Sequence, residues 1–108
     1  MKLLVGAGLI ALTGLLAQSP EQVDAGRKIY ESEKCRTCHQ IDGQGNRLFP
    51  LDGVGARLTA DEIRRWFTHT VEMENARPRR PAIRMSSRKY NFSDTDLDAL
   101  VAYLLTLK

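Results

Sequence analysis

Glu33-Lys34-Cys35-Arg36-Thr37-Cys38-His39-Gln40 is the stretch on which the reading of this chain turns. It contains both cysteines of the sequence and one of its two histidines. A redox-active Cys-x-x-Cys pair usually follows a strand in a βαβ context, whereas this one follows a segment with helical spacing. A structural zinc ion needs four ligands, and the only other His or Cys is His69. A disulfide would close a loop too short to constrain much of the chain, and it has no use for His39. One arrangement employs all three side chains: a flat cofactor gripped along one edge by the sulfurs, with the imidazole beneath its centre.

Reading outward, helical spacing continues on both sides, and no segment carries convincing strand alternation. Three stretches open with a hydroxyl residue followed three positions later by an acid or amide, a pair that can satisfy the free N–H groups of a first helical turn. Ser19-Pro20-Glu21-Gln22 starts the first, with Pro20 suited to the first helical position. Val23, Gly26 and Tyr30 mark one face of that helix, which is expected to run to about Lys34. Thr59-Ala60-Asp61-Glu62 starts the second, with Ile63, Trp66, Phe67 and Val71 as its stripe and an end near Glu72. Ser93-Asp94-Thr95-Asp96 starts the third, whose stripe is Leu97, Leu100, Val101 and Leu104, with Tyr103 beside it. Gly43, Gly45, Pro50, Gly53 and Gly55 crowd the first connection, and Pro78 and Pro81 interrupt the second. Both are expected to be irregular, and two long loops in so small a domain need something to order them.

The chain has 108 residues. Residues 1–17 read as an export signal: Met1-Lys2, an apolar run from Leu3 to Ala17, then polar Gln18, with cleavage expected after Ala17. The run is short for a bilayer span, which takes about 20 apolar residues, although an uncleaved anchor is the alternative. Residues 18–108 then form one domain of about 90 residues, near the size at which an apolar core alone is marginal. The formal net charge is +3, one unit of it from Lys2. No nucleic-acid-binding composition is present.

Cys35-Arg36-Thr37-Cys38-His39 is the c-type haem attachment signature. Each thiol can add across one vinyl group, and a neutral imidazole is a good axial ligand. Here the chain resembles the class I c-type cytochrome family, in particular its short bacterial members with a single haem. The residues that carry the resemblance are Gly26-x-x-x-Tyr30 leading into the attachment motif, Pro50-Leu51-Asp52-Gly53-Val54-Gly55, and Leu100-Val101-Ala102-Tyr103-Leu104. It spans residues 20–108. The resemblance implies an all-α cytochrome c fold of three main helices, with long loops wrapped around one covalently attached haem. It implies that the first and last helices cross with Gly26 against Leu100 and Tyr103. It also implies that the Pro50 carbonyl accepts the Nδ1–H of His39, which would fix the ring and make the other nitrogen more basic.

For the sixth iron ligand the candidates are Met85, Met73 and His69. The family draws this ligand from a loop just before the final helix, which favours Met85. The family's Met-Pro is here Met85-Ser86. Arg57 and Trp66 follow the glycine-rich loop, where the family often places contacts to the haem propionates; Trp66 is equally a core residue. A His/Met pair would favour ferrous iron and block both axial faces, leaving one-electron transfer as the chemistry.

Between Asn75 and Ser93 stand Arg77, Arg79, Arg80, Arg84, Arg88 and Lys89 without an intervening acid. Such a run would steer an acidic redox partner if it flanked the haem edge; a solvated loop with an arginine or two on the propionates is the plainer reading. The expected function is a periplasmic or otherwise exported one-electron carrier, with no enzyme activity of its own, no nucleic-acid partner and no stable membrane span after signal removal. A haem c relay subunit of a periplasmic oxidoreductase is the alternative. A ligand-binding or peroxidase-like haem protein is the third reading.

Overall fold

The computed structural model describes residues 18–78 and 83–108, so the expected leader and Arg79 and Arg80 lie outside the described residues. Helix α1 covers Pro20–Ser32 and α5 covers Asp94–Leu105. Each begins as its sequence dictates: the Ser19 hydroxyl accepts the Gln22 N–H, and the Ser93 hydroxyl accepts that of Asp96. Helix α1 stops short of Lys34, which takes a left-handed φ of 58°. A 3₁₀ turn, Cys35–Thr37, follows directly and delivers the attachment motif.

Helices α1 and α5 pack on one another at Gly26. A Cβ there would lie 2.0 Å from the Ala99 carbonyl oxygen and 2.7 Å from Tyr103 Cβ. The crossing therefore involves Tyr103 as expected, but its close partner is the Ala99 backbone rather than Leu100. One turn further along, the Tyr30 and Tyr103 rings tilt against each other at 5.8 Å. Tyr30, Cys35, Val54, Ile63, Leu97, Leu100, Val101 and Leu104 form the buried core.

The first loop contains more order than its glycines suggest. Strands β1 (His39–Ile41), β2 (Gln44–Gly45) and β3 (Phe49–Pro50) form a small sheet in the order β2-β1-β3. β1 pairs antiparallel with β2 and parallel with β3, in the register His39 to Phe49 and Gln40 to Pro50. The expectation of no strands is corrected here: segments of two or three residues are too short to show alternation. The protein is mostly helical nonetheless. Helix α2 (Val54–Arg57) sits where Gly55 lets the chain approach α5, since a Cβ there would lie 2.2 Å from the Leu105 carbonyl oxygen.

The second expected helix is two helices. α3 spans Ala60–Thr68 and begins with a complete capping box between Thr59 and Glu62. α4 spans Thr70–Asn75, and the break falls at His69, with φ −129° and ψ 46°. Thr68 Oγ1 donates to the Arg64 carbonyl at 3.3 Å and Thr70 Oγ1 to the Trp66 carbonyl at 2.8 Å. Hydroxyls bonding back to the preceding turn compete with the helical ladder and bend it. The turn leaves Val71 exposed instead of on the core stripe.

Candidate haem site

The sulfurs, the imidazole and the expected sixth ligand meet in one cleft. It has a volume of about 420 Å³, within the ~300–1,000 Å³ usual for cofactor sites. Cys35, Cys38, His39, Met85, Pro50, Arg57 and Trp66 all line it, as do Val54, Leu58, Ile63, Phe67, Leu100 and Leu104. His69 and Met73, the other candidate ligands, are not among its lining residues. His69 instead bonds Thr68 Oγ1 through Nδ1 at 2.8 Å.

His39 is held by the sheet. Its Nδ1 lies 2.9 Å from the Phe49 carbonyl oxygen, which can only accept, so Nδ1 carries the proton and Nε2 keeps a free lone pair. The acceptor was expected to be Pro50. The parallel register places Phe49 opposite His39 and Pro50 opposite Gln40, one residue too far along. Phe49 also packs its ring on the imidazole at 6.1 Å. Burial lowers the His39 pKa from its ordinary value, against the bond to Phe49, which raises it. The neutral form needed for metal ligation is therefore favoured.

Both cysteines are free thiols, with Cys35 buried. Burial pushes the Cys35 thiol up to about 11. That is the opposite of the lowered pKa of an attacking thiol in a disulfide oxidoreductase. Among the described residues no three His, Cys, Asp or Glu side chains are grouped to hold a metal ion.

The Tyr30 hydroxyl is buried on the cleft wall and has no hydrogen-bond partner among the described residues. Leaving such a group unsatisfied costs about 1–3 kcal/mol. The Tyr30 hydroxyl, two thiols outside any disulfide among the described residues and an imidazole whose Nδ1 is occupied by Phe49 converge on a mostly apolar space. These residues fit a covalently attached haem.

Arginines line part of the cleft. Arg57 donates to the Asp52 carbonyl at 2.7 Å, Arg77 stands 6.0 Å from the Trp66 ring, and Arg88 donates to the Glu33 carbonyl at 2.8 Å. Arg84 lines the cleft as well, while Lys89 faces a separate shallow hollow beside His69. Two features escaped the sequence reading. One is an aromatic cluster in which Tyr90 stacks on Phe92 at 5.4 Å and both meet Phe67 edge-on; two rings close together in a polar loop were its only signal. The other is Glu74, an acid buried at 5% exposure.

The family model described as cytochrome c matches residues 23–108. The chain is 33% identical over 95 residues to the Cbb3-type cytochrome c oxidase subunit CcoP of Helicobacter pylori (strain 52), covering 84% of this chain and 30% of that subunit. It is 31% identical over 88 residues to cytochrome c-554(547) of Halothiobacillus neapolitanus, covering 78% of this chain and 94% of that protein. The chain thus spans less than a third of the CcoP subunits it matches. No solved structure gives a significant match. With most of its length matched and a cleft that fits the cofactor, this chain belongs to the cytochrome c family, whose members bind haem c and its iron covalently.

Proposed function

We propose that this protein is an exported, periplasmic one-electron carrier with a single haem, joined through Cys35 and Cys38 and ligated by His39 and Met85. Residues 1–17 are its export signal and residues 18–108 its working domain. The observation that carries this reading is that Met85, brought in by a 3₁₀ turn (Met85–Arg88), lines the same cleft as the attachment motif. When bound, the haem supplies an iron that passes between Fe(III) and Fe(II). The chain does the rest. Phe49 fixes the imidazole tautomer so that Nε2 is presented to the metal. Met85 would offer its thioether to the iron from the other side of the cleft, a ligand type that favours the reduced metal. Ile63, Leu100 and Leu104 keep the site apolar.

Met85→Ala tests it. The ferric wild type is expected to show a sulfur-to-iron charge-transfer band, and the ferrous form is expected to be inert to carbon monoxide. The variant is expected to lose the band, bind carbon monoxide rapidly, and fall in reduction potential by on the order of 0.1 V or more, within the ~0.8 V over which haem environments range. A variant that keeps a low-spin, sulfur-ligated spectrum rules out Met85. Rapid carbon monoxide binding by the wild type supports the ligand-binding or peroxidase-like alternative instead.

The partners are redox proteins with acidic docking surfaces, approached through the arginine-rich opening formed by Arg57, Arg77, Arg84 and Arg88. Electron exchange with an acidic partner is expected to slow about tenfold or more as ionic strength rises from ~0.01 to ~0.15 M, because screening shortens the reach of the charges. A flat dependence removes steering from the account. The similarity to CcoP favours a second reading, a haem relay within an oxidase assembly. Stable co-purification with a larger enzyme would select it over a freely diffusing carrier.

A further inference from the structure

Glu74 is the buried charged side chain among the described residues. It projects from α4, and both its carboxylate oxygens are engaged by one residue twelve positions later. The Ser86 backbone N–H donates to Oε2 at 2.9 Å, and the Ser86 hydroxyl donates to Oε1 at 2.7 Å. Removing a carboxylate from water costs several kcal/mol unless hydrogen bonds compensate it. A buried charge satisfied by so short a piece of chain ties that piece down.

The piece it ties is the one that carries Met85. We propose that Glu74 is a positioning residue that clamps the Met85-Ser86 step and so holds the Met85 sulfur over the cleft. This inference rests on Met85 being the sixth ligand. The far end of the same turn is anchored separately, by Arg88 donating to the Glu33 carbonyl at the end of α1. Glu74 thus secures the near end from α4 and Arg88 the far end from α1. The clamp needs a residue at 86 that has an N–H to give, which serine has and proline lacks. A neutral thioether is a weak ligand, so the fraction of time it stays bound depends on how little freedom its loop retains.

The test uses holoprotein of wild type, Glu74→Ala, Glu74→Gln and Ser86→Ala. It reads imidazole affinity for the ferric form, the sulfur-to-iron band and the melting temperature. Glu74→Ala is expected to bind imidazole at least tenfold more tightly with a weakened band. Glu74→Gln, which retains an acceptor oxygen, is expected to stay within about threefold of wild type, and Ser86→Ala to fall between. Imidazole affinity within twofold of wild type in Glu74→Ala, with the band intact, overturns the clamp even if melting is lowered. Should Glu74→Ala fail to fold, unchanged imidazole affinity in Ser86→Ala overturns it. A wild type without the sulfur band defeats the Met85 assignment itself, whatever Glu74 does.

Discussion

A Cys35→Ser/Cys38→Ser variant, matured beside the wild type, is expected to release its haem into acidified acetone, while the wild type keeps its colour with the polypeptide. Once stripped, the variant is expected to show no cooperative thermal transition. The reason lies in how the core is divided. Of the eight residues of the buried cluster, Tyr30, Cys35, Val54, Ile63, Leu100 and Leu104 also line the cleft. The interior is therefore one wall of the cofactor site rather than a separate body of packed side chains. A sealed cavity costs about 24 cal/mol per Å³. Applied as an upper bound to a cleft of 420 Å³, that is on the order of 10 kcal/mol, comparable with the ~5–15 kcal/mol that holds a small domain together. The serines test the covalent link, and the stripping tests the dependence of the fold on what is linked. Haem that stays with the double variant through extraction refutes the thioether assignment. A stripped variant that still melts cooperatively near the wild-type temperature refutes the shared core.

The parts of this molecule that were legible in its sequence are those fixed by near neighbours. The hydroxyls of Ser19, Thr59 and Ser93 sit three residues from the N–H groups they accept, so the starts of α1, α3 and α5 could be located from a four-residue pattern. The faces of α1 and α5 followed from a period of 3.6 residues. Cys35, Cys38 and His39 fall within five consecutive residues, so their convergence on a cleft required no knowledge of the fold. What could not be read depends on register between segments that are distant in sequence. Phe49 rather than Pro50 meets His39 because a strand of two residues pairs parallel in one register and not the next. The break at His69 depends on Thr68 and Thr70 turning their hydroxyls onto carbonyls of the preceding turn, a choice their identity permits but does not compel. The burial of Glu74 could not be read because Ser86, the group that makes it tolerable, is brought to it only when the Met85 loop folds back.

Gly26→Val is expected to lower the melting temperature of the ferric holoprotein by about 15 °C or more. A Cβ at residue 26 would stand 2.0 Å from the Ala99 carbonyl oxygen, 2.6 Å from its carbon and 2.7 Å from Tyr103 Cβ. These are backbone or backbone-proximal atoms of α5, which no rotamer change can withdraw. The two helices must separate, and the Tyr30–Tyr103 contact and Leu100, fully buried and on the cleft wall, move with them. Overpacking a well-filled core typically costs 1–3 kcal/mol, and a clash with backbone belongs at the upper end, about 3 kcal/mol. In a domain of about 90 residues each kcal/mol displaces melting by roughly 4–8 °C. Gly43 provides the control: it also lacks a side chain, but an added Cβ would meet nothing within 4 Å, and only its positive φ of 78° would be strained. Gly43→Ala is therefore expected to cost about 1 kcal/mol, a few degrees. If Gly26→Val melts within those same few degrees, α1 and α5 do not cross at Gly26, and the wall that Leu100 and Tyr30 give the cleft is not set by that crossing.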